Sequence, residues 1–259
     1  DCWWRKDGGC TFCSWTNTFK NFRVVTPERA VEEIIACDRL GIREVFDDTG
    51  TFPIGKWLEE FCEKIIKFRE KGILGKKFPV LGCNMRPGAL NQKEYNLLGR
   101  AGFRFILYGL ESANQRTLER INKGQHPGDM ETTLSMAKRS GLEPHVTCMV
   151  GYPWESLGDA RRTIGFTKEL FQKGLIDTLQ ATICIPYPGT RLYEQCLENS
   201  WLKYDPGDWD MWDMRRPVMK SPIQDHELLN LTQGIYKSCI TPSFIGRKVL
   251  SIRSMDDLK

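Results

Sequence analysis

The sequence predicts an α/β protein, a parallel sheet covered by helices. Short runs rich in Val, Ile, Phe or Thr alternate with amphipathic helix-like runs. Each strand-like run also ends in polar or Gly/Pro-rich residues, where parallel sheets gather their chemistry. A length of 259 residues, 41% hydrophobic and 27% charged, suits one large α/β barrel or two small domains. An aromatic content of 11% excludes disorder. The most apolar stretches, such as 145–152, stop short of the roughly 20 residues a membrane-spanning helix needs.

In chain order, Thr26-Pro27 supplies a helix cap and a first-turn Pro, Val31, Ile34 and Ile35 follow on one face, and Gly41 stops the helix. Further helices are expected over 54–71, ended by Gly72, and over 91–100, ended by Gly102. Ser156 with Asp159 forms a capping box for a helix that stops near Gly174. Strands are expected over 42–46, 79–83, 103–108, 145–150 and 179–185. Their tips read Asp47-Asp48-Thr49, Asn84-Met85-Arg86, Gly109-Leu110-Glu111-Ser112, Gly151-Tyr152-Pro153 and Pro186-Tyr187-Pro188-Gly189-Thr190. The pattern changes after residue 203, which divides a core over 1–203 from a C-terminal extension over 204–259. In the extension, 205–214 is irregular and rich in Trp, Asp and Met, 225–240 reads as a helix, and the last fifteen residues are basic and loosely patterned.

The charge balance, 37 Lys and Arg against 33 Asp and Glu, leaves +4, too small and scattered to argue for a nucleic-acid groove. Of ten cysteines, Cys37, Cys62, Cys83, Cys148, Cys184, Cys196 and Cys239 stand alone in apolar or amphipathic runs and read as core hydrophobes. A secreted disulfide scaffold would be shorter and denser in Cys, so a cytoplasmic, reducing setting is expected. Only Cys2, Cys10 and Cys13 cluster. A C-x2-C turn brings two thiolates to one soft metal centre, and Gly8-Gly9 lets the loop fold so that Cys2 can join. His126, His145 and His226 lie far off, so no fourth zinc ligand is evident. Three thiolates suit a 4Fe–4S cluster with one open iron; zinc and a disulfide remain as alternatives.

With the strand tips added, the sequence resembles the radical SAM superfamily, the S-adenosylmethionine radical enzymes. It looks most like the branch with an N-terminal cobalamin-binding domain, related to the methylthiotransferases. The residues that carry the resemblance run from Cys2 to about Tyr236. They are Cys10-Thr-Phe-Cys13, Val45-Phe-Asp-Asp48, Gly109-Leu-Glu-Ser112 with Leu118 and Lys123-Gly124, Gly151-Tyr-Pro-Trp-Glu155, and Pro186-Tyr-Pro-Gly-Thr190 with Leu192-Tyr193.

The resemblance implies a partial (β/α)6 TIM-like barrel that lacks its first strand, with a C-terminal helical extension. Cys2, Cys10 and Cys13 would each ligate one iron, and the methionyl amine and carboxylate of S-adenosylmethionine would chelate the fourth. Phe12 would sit against the adenine. Asp47, Asp48 and Thr49 would receive the methionyl ammonium, and Arg86 would face its carboxylate. Glu111 and Ser112 would contact ribose or methionine, and Val150, Gly151, Pro186 and Tyr187 would border the adenine. The implied chemistry is reductive cleavage to a 5′-deoxyadenosyl radical, with methyl transfer to an unreactive carbon or a rearrangement if cobalamin is supplied by an upstream domain. No catalytic side chain is assigned. The implied partners are a small-molecule or peptide substrate and a flavodoxin- or ferredoxin-type electron donor, with neither membrane nor nucleic acid.

Two departures stand out. The usual C-x3-C-x2-C spacing is here C-x7-C-x2-C, with Trp3 to Gly9 filling the first gap. The chain also opens at Asp1, one residue before Cys2, so the first barrel strand is expected upstream. Trp201, Trp209, Met211, Trp212 and Met214 are expected to plug the barrel's open side, or else to form a lid. Methylthiolation of RNA or protein is a weaker alternative, because the basic tail (Arg247, Lys248, Arg253, Lys259) is brief. A non-catalytic zinc or iron–sulfur module is another.

Overall fold

The computed structural model describes residues 1–19, 21–75, 78–239, 241–250 and 252. After a 3-10 turn at Trp3–Asp7, the elements run α1 (Trp15–Thr18), α2 (Pro27–Arg39), β1 (Glu44–Asp47), α3 (Lys56–Glu70), β2 (Val80–Met85), α4 (Gln92–Ala101) and β3 (Phe103–Glu111). There follow α5 (Gln115–Arg120), α6 (Asp129–Arg139), β4 (Glu143–Val150), α7 (Leu157–Gln172), β5 (Thr178–Ile183), α8 (Arg191–Glu198), a 3-10 turn at Trp209–Trp212, α9 (Asp225–Cys239) and α10 (Pro242–Leu250).

The five strands form one parallel sheet in the order β1-β2-β3-β4-β5, with registers such as Phe46↔Gly82, Cys83↔Ile106 and Val146↔Leu179. Among the described residues β1 and β5 do not pair with each other, so the sheet is an open, partial barrel. One face carries Leu81, Cys83, Ile106, Tyr108, Leu110, Val146, Cys148 and Val150, all buried beneath the helices. Right-handed crossover helices cover a parallel sheet in this way because its strands cannot be joined by hairpins.

The expected caps form. Thr26 accepts from the Arg29 amide, and a reciprocal capping box closes the start of α7 (Ser156/Asp159); an unanticipated one closes the start of α4 (Asn91/Glu94). Five helices were not anticipated, the first being the four-residue α1. α5 has six residues and buries only Thr117 and Leu118, and α6 starts at Gly128 without a capping side chain, so neither announces its N-terminus. α8 follows directly on the expected strand tip, with Thr190 as its cap, and α10 runs into the tail expected to be loosely patterned.

Two further expectations are corrected. β3 continues through Glu111, so Gly109-Leu110-Glu111 is strand rather than tip; a register shift between Gly109 and Glu111 lets it bend without ending. Six of the seven isolated cysteines are buried, but Cys37 is half-buried and lines a cavity of about 700 Å³ beside β1. In the 201–219 segment, Trp212 is buried against Leu118, Tyr152 and Leu192, whereas Trp209 and Met214 are exposed. The segment thus packs Trp212, with Trp201, Tyr204 and Met211 partly buried, into one apolar cluster and leaves Trp209 and Met214 outside it. Of the basic tail, Arg253 and Lys259 and the side chains of Arg247 and Lys248 lie outside the described residues. No helix among the described residues is long and apolar enough to cross a membrane.

Candidate active site

The cysteine loop lies over the carboxyl ends of the strands, held there by bonds to remote segments. The Thr11 amide donates to the Ile121 carbonyl (2.9 Å), and the Leu192 amide donates to the Thr11 carbonyl (2.9 Å). Cys2 backs onto the β1 tip so closely that a Cβ at Gly50 would stand 2.5 Å from the Cys2 Cβ. The loop thus adjoins Asp47–Thr49 on one side and the turn after α5 on the other.

The thiols share one neighbourhood. The Cys13 amide donates to the Cys10 carbonyl (3.3 Å), and Cys2 and Cys10 carry free thiols. Burial pushes the Cys2 thiol above its ordinary pKa and the nearby Cys10 adds to this, while Arg86 and Lys123 pull it back down. Among the described residues no three Cys, His, Asp or Glu side chains are already set as a metal cage, so the loop is gathered without its thiols standing in ligand geometry.

The centre of the site is charged and buried. Lys123 donates to Glu111 Oε1 at 2.6 Å, both side chains being less than a tenth exposed. Burial alone would lower the Lys123 pKa; Glu111 and the neighbouring Cys10 outweigh it and hold the ammonium above its ordinary value. Lys123 Nζ also stands 5.8 Å from the centre of the Phe12 ring. Glu111 adopts φ +61°, a conformation unusual for a side chain with a Cβ. Gly109 makes room for the pair: a Cβ there would lie 2.1 Å from Glu111 Oε1 and 2.7 Å from Lys123 Nζ. Gln125 Nε2 ties this bend down by donating to the carbonyls of Gly109 (3.0 Å) and Leu110 (3.1 Å).

Arg86 is buried too. It donates to the Lys123 and Gly124 carbonyls and lies 4.2 Å from the centre of the Trp4 ring, so part of its hydrogen-bonding capacity is already committed to the loop. Ser112 is fully buried and donates to Glu155 Oε1 (3.3 Å), which also accepts from Thr117 (3.1 Å). Burial raises the Glu155 carboxyl to about 7 against the pull of those hydroxyls. At the β1 tip, Asp47 Oδ1 accepts from the Thr49 amide (2.8 Å), and Asn84 bridges Asp48 Oδ1 (3.3 Å) and the Thr49 carbonyl (2.8 Å). Val150, Gly151 and Pro186 are buried at the ends of β4 and β5, while Tyr187 beyond β5 is exposed. Gly151 takes φ +91° with Leu228 and Ile183 close by.

Sequence reasoning quoted Lys123 and Glu155 within motifs but gave neither a role. Their partners, Glu111 and the Ser112–Thr117 pair, are joined to them by folding and not by local periodicity.

The residues present fit a thiolate-held cluster with a polar organic ligand beside it. The donors are three sulfurs and no carboxylate, matched to soft iron. Positive charge from Lys123 and Arg86 stands next to them. Thr49 Oγ1, Gln125 Oε1 and Trp3 Nε1 are buried polar atoms with no hydrogen-bond partner around the same rim, a pattern expected where a polar ligand belongs.

Residues 2–167 match the model of the radical SAM superfamily. The chain belongs to the radical SAM superfamily. The cofactors of that family are a 4Fe–4S cluster and S-adenosylmethionine. An uncharacterized methyltransferase of Pyrococcus horikoshii is 31% identical over 213 residues, covering 82% of this chain and 44% of the relative. The anaerobic magnesium-protoporphyrin IX monomethyl ester cyclase of Rubrivivax gelatinosus is 24% identical over 234 residues, covering 88% and 39%. The chain thus spans less than half the length of these relatives. Among solved structures, the fold is shared with the radical S-adenosylmethionine methyltransferase TsrM of Kitasatospora setae, with a TM-score of 0.66 at 16% identity over 83% of this chain and 42% of that one.

Proposed function

We propose that this chain is the core of an enzyme that reductively cleaves S-adenosylmethionine and uses the product for cobalamin-dependent methyl transfer to, or rearrangement of, an unreactive carbon. The observation that carries the reading is the cysteine loop set between the Asp47–Thr49 tip and the buried Lys123–Glu111 pair. When bound, a reduced 4Fe–4S cluster supplies the electron that breaks the sulfonium bond to the 5′ carbon.

The chain's own residues hold and orient. Cys2, Cys10 and Cys13 ligate three irons. Asp47 and Asp48 face the methionyl ammonium, with the hydroxyl of Thr49 as a further acceptor. Lys123 and the uncommitted N–H groups of Arg86 supply positive charge for the methionyl carboxylate, a charge-assisted contact in a water-poor site. Phe12, Val150, Gly151, Pro186 and Tyr187 form the apolar wall for the adenine, and Glu111 and Ser112 border the ribose. Cobalamin would be carried outside this chain. Support for it comes from relatives named as methyltransferases and from the TsrM structure, which is described with cobalamin and a [4Fe-4S] cluster bound. The substrate is read as a small molecule or peptide, the electron donor as a flavodoxin or ferredoxin, and the setting as cytoplasmic.

The test is anaerobic reconstitution of the full-length protein, followed by metal analysis and detection of 5′-deoxyadenosine after reduction. Iron, sulfide and deoxyadenosine are expected, and serine at Cys10 or Cys13 should abolish all three. Stoichiometric zinc with no deoxyadenosine would instead identify a structural metal module.

A further inference from the structure

The long gap between Cys2 and Cys10 is folded, not slack. Residues Trp3–Asp7 make a 3-10 turn that ends at Gly8 with φ +89°, and the Gly9 amide closes back on the Trp4 carbonyl (3.2 Å). The turn is then fastened from outside at three points. Trp4 Nε1 donates to the Asn122 carbonyl (2.8 Å). Asn122 Nδ2 donates to the carbonyls of Asp7 (3.1 Å) and Gly9 (2.8 Å). Arg191, the first residue of α8, donates to the carbonyls of Gly8 (2.7 Å) and Gly9.

The Trp4 ring itself has two close partners. The Arg86 guanidinium lies 4.2 Å from its centre, a cation–π contact with a buried Arg. Gly124 stands against two carbons of the ring, where a Cβ would fall 2.0 Å from Trp4 Cζ2 and 2.1 Å from Cη2. No side chain other than hydrogen fits there while Trp4 stays in place. Arg86 at the same time donates to the carbonyls of Lys123 and Gly124, so the loop, the β2 tip and the turn that presents Lys123 meet around this one indole.

We infer that Trp3–Gly9 is a latched strap, with Trp4, Gly124 and Arg86 as its positioning residues, which fixes the backbone on both sides of Cys10 before metal arrives. The inference rests on the reading of Cys2, Cys10 and Cys13 as cluster ligands. It assigns to the seven-residue gap a task that C-x3-C spacing does not need: a longer chain between two ligands has more conformations to lose, and the strap removes them in advance. Arg86 thereby acts through Trp4 on the loop, in addition to any contact with the methionyl carboxylate.

Hydrogen exchange on the metal-free, full-length protein tests the strap without reference to activity. Amides over 2–13 of the unaltered protein should be protected, and Gly124→Ala should expose them while β4 amides keep their protection. Trp4→Phe, which keeps a ring over Arg86 but loses the bond to Asn122, should fall between the two. After reconstitution, Gly124→Ala should lose iron to a chelator on the order of ten times faster than the parent, as expected when an outer support of a metal site is removed, and Trp4→Phe should keep much of the retention that is lost in Trp4→Ala. Fast exchange over 2–13 in the unaltered protein, or unchanged exchange in Gly124→Ala, would overturn the strap. The two readings fail separately, because exchange reports the strap even if the bound metal proves to be zinc, and the cysteine variants report the ligands even if the strap proves loose.

Discussion

β1 and β3 lie in the same sheet, run in the same direction and end at the same rim, yet they are built differently. β3 has nine residues, pairs on both sides and buries Ile106, Tyr108 and Leu110 completely. β1 has four, pairs only with β2 among the described residues, leaves Phe46 40% exposed and borders the cavity of about 700 Å³. Their tips differ in the same sense. At the β3 tip Glu111 is matched by Lys123 in a buried ion pair, while beyond β4 Glu155 accepts two hydroxyls on Oε1 and leaves Oε2 without a partner. At β1 a short turn closes on Asp47 and leaves Thr49 Oγ1 buried and unmatched. One end of the rim is braced by a buried ion pair; the other has only a short turn and no such pair.

The sharpest way to break that contrast is to remove one member of the buried pair. Lys123→Met leaves the Glu111 carboxylate buried opposite a methyl group. Breaking a buried ion pair on one side costs about 3–5 kcal/mol, whereas replacing both members costs far less. Urea unfolding of the metal-free protein should therefore show a large loss for Lys123→Met and recovery of most of it in Lys123→Met/Glu111→Gln. If the single variant is as stable as its parent, the β3 tip is not the prefolded end.

The next effect is a dependence on pH. Burial holds the Glu155 carboxyl at about 7, above its ordinary 4.5. Between those values the folded protein keeps a proton that the unfolded chain has released. Stability from this group is accordingly greatest below about 4.5, falls as pH rises through the window, and levels off above about 7. The whole change is about 3 kcal/mol, since each pH unit of that window is worth about 1.36 kcal/mol. Glu155→Gln should flatten that slope in unfolding curves between pH 5 and 8; an unchanged slope would assign it to other groups.

How far the sequence disclosed this contrast follows from what is local and what is not. The five strands were legible because each is a short apolar run closed by polar residues, and α2 and α7 because Thr26 and Ser156 mark their starts. The strap was not legible: Trp3 to Gly9 reads only as the filling of a long gap, since nothing near Trp4 in sequence says that Arg86 and Gly124 will close on its ring. Lys123 lies twelve residues beyond Glu111 in a turn with no period of its own, so the ion pair exists only in three dimensions. The end of β3 was misread for a related reason: Gly109 resembles a strand terminator, but it is there to leave room for Glu111 and Lys123, and the strand runs on.

The smallest effect probes the unbraced end. Thr49→Val keeps the shape of the side chain and removes a buried hydroxyl that has no partner. Replacing an unmatched polar group by an apolar one of the same shape is neutral or stabilising, here by at most about 1 kcal/mol. In the metal-free protein the unfolding midpoint should hold or rise slightly. S-adenosylmethionine binding to the reconstituted full-length protein, measured by equilibrium dialysis, should weaken several-fold, because the hydroxyl that gains its partner in the complex is gone. The two readouts move in opposite directions only if the β1 tip is shaped for a ligand and not for the fold. A loss of stability equal to the loss of binding would make Thr49 an ordinary structural residue, and the two strand tips would then be alike.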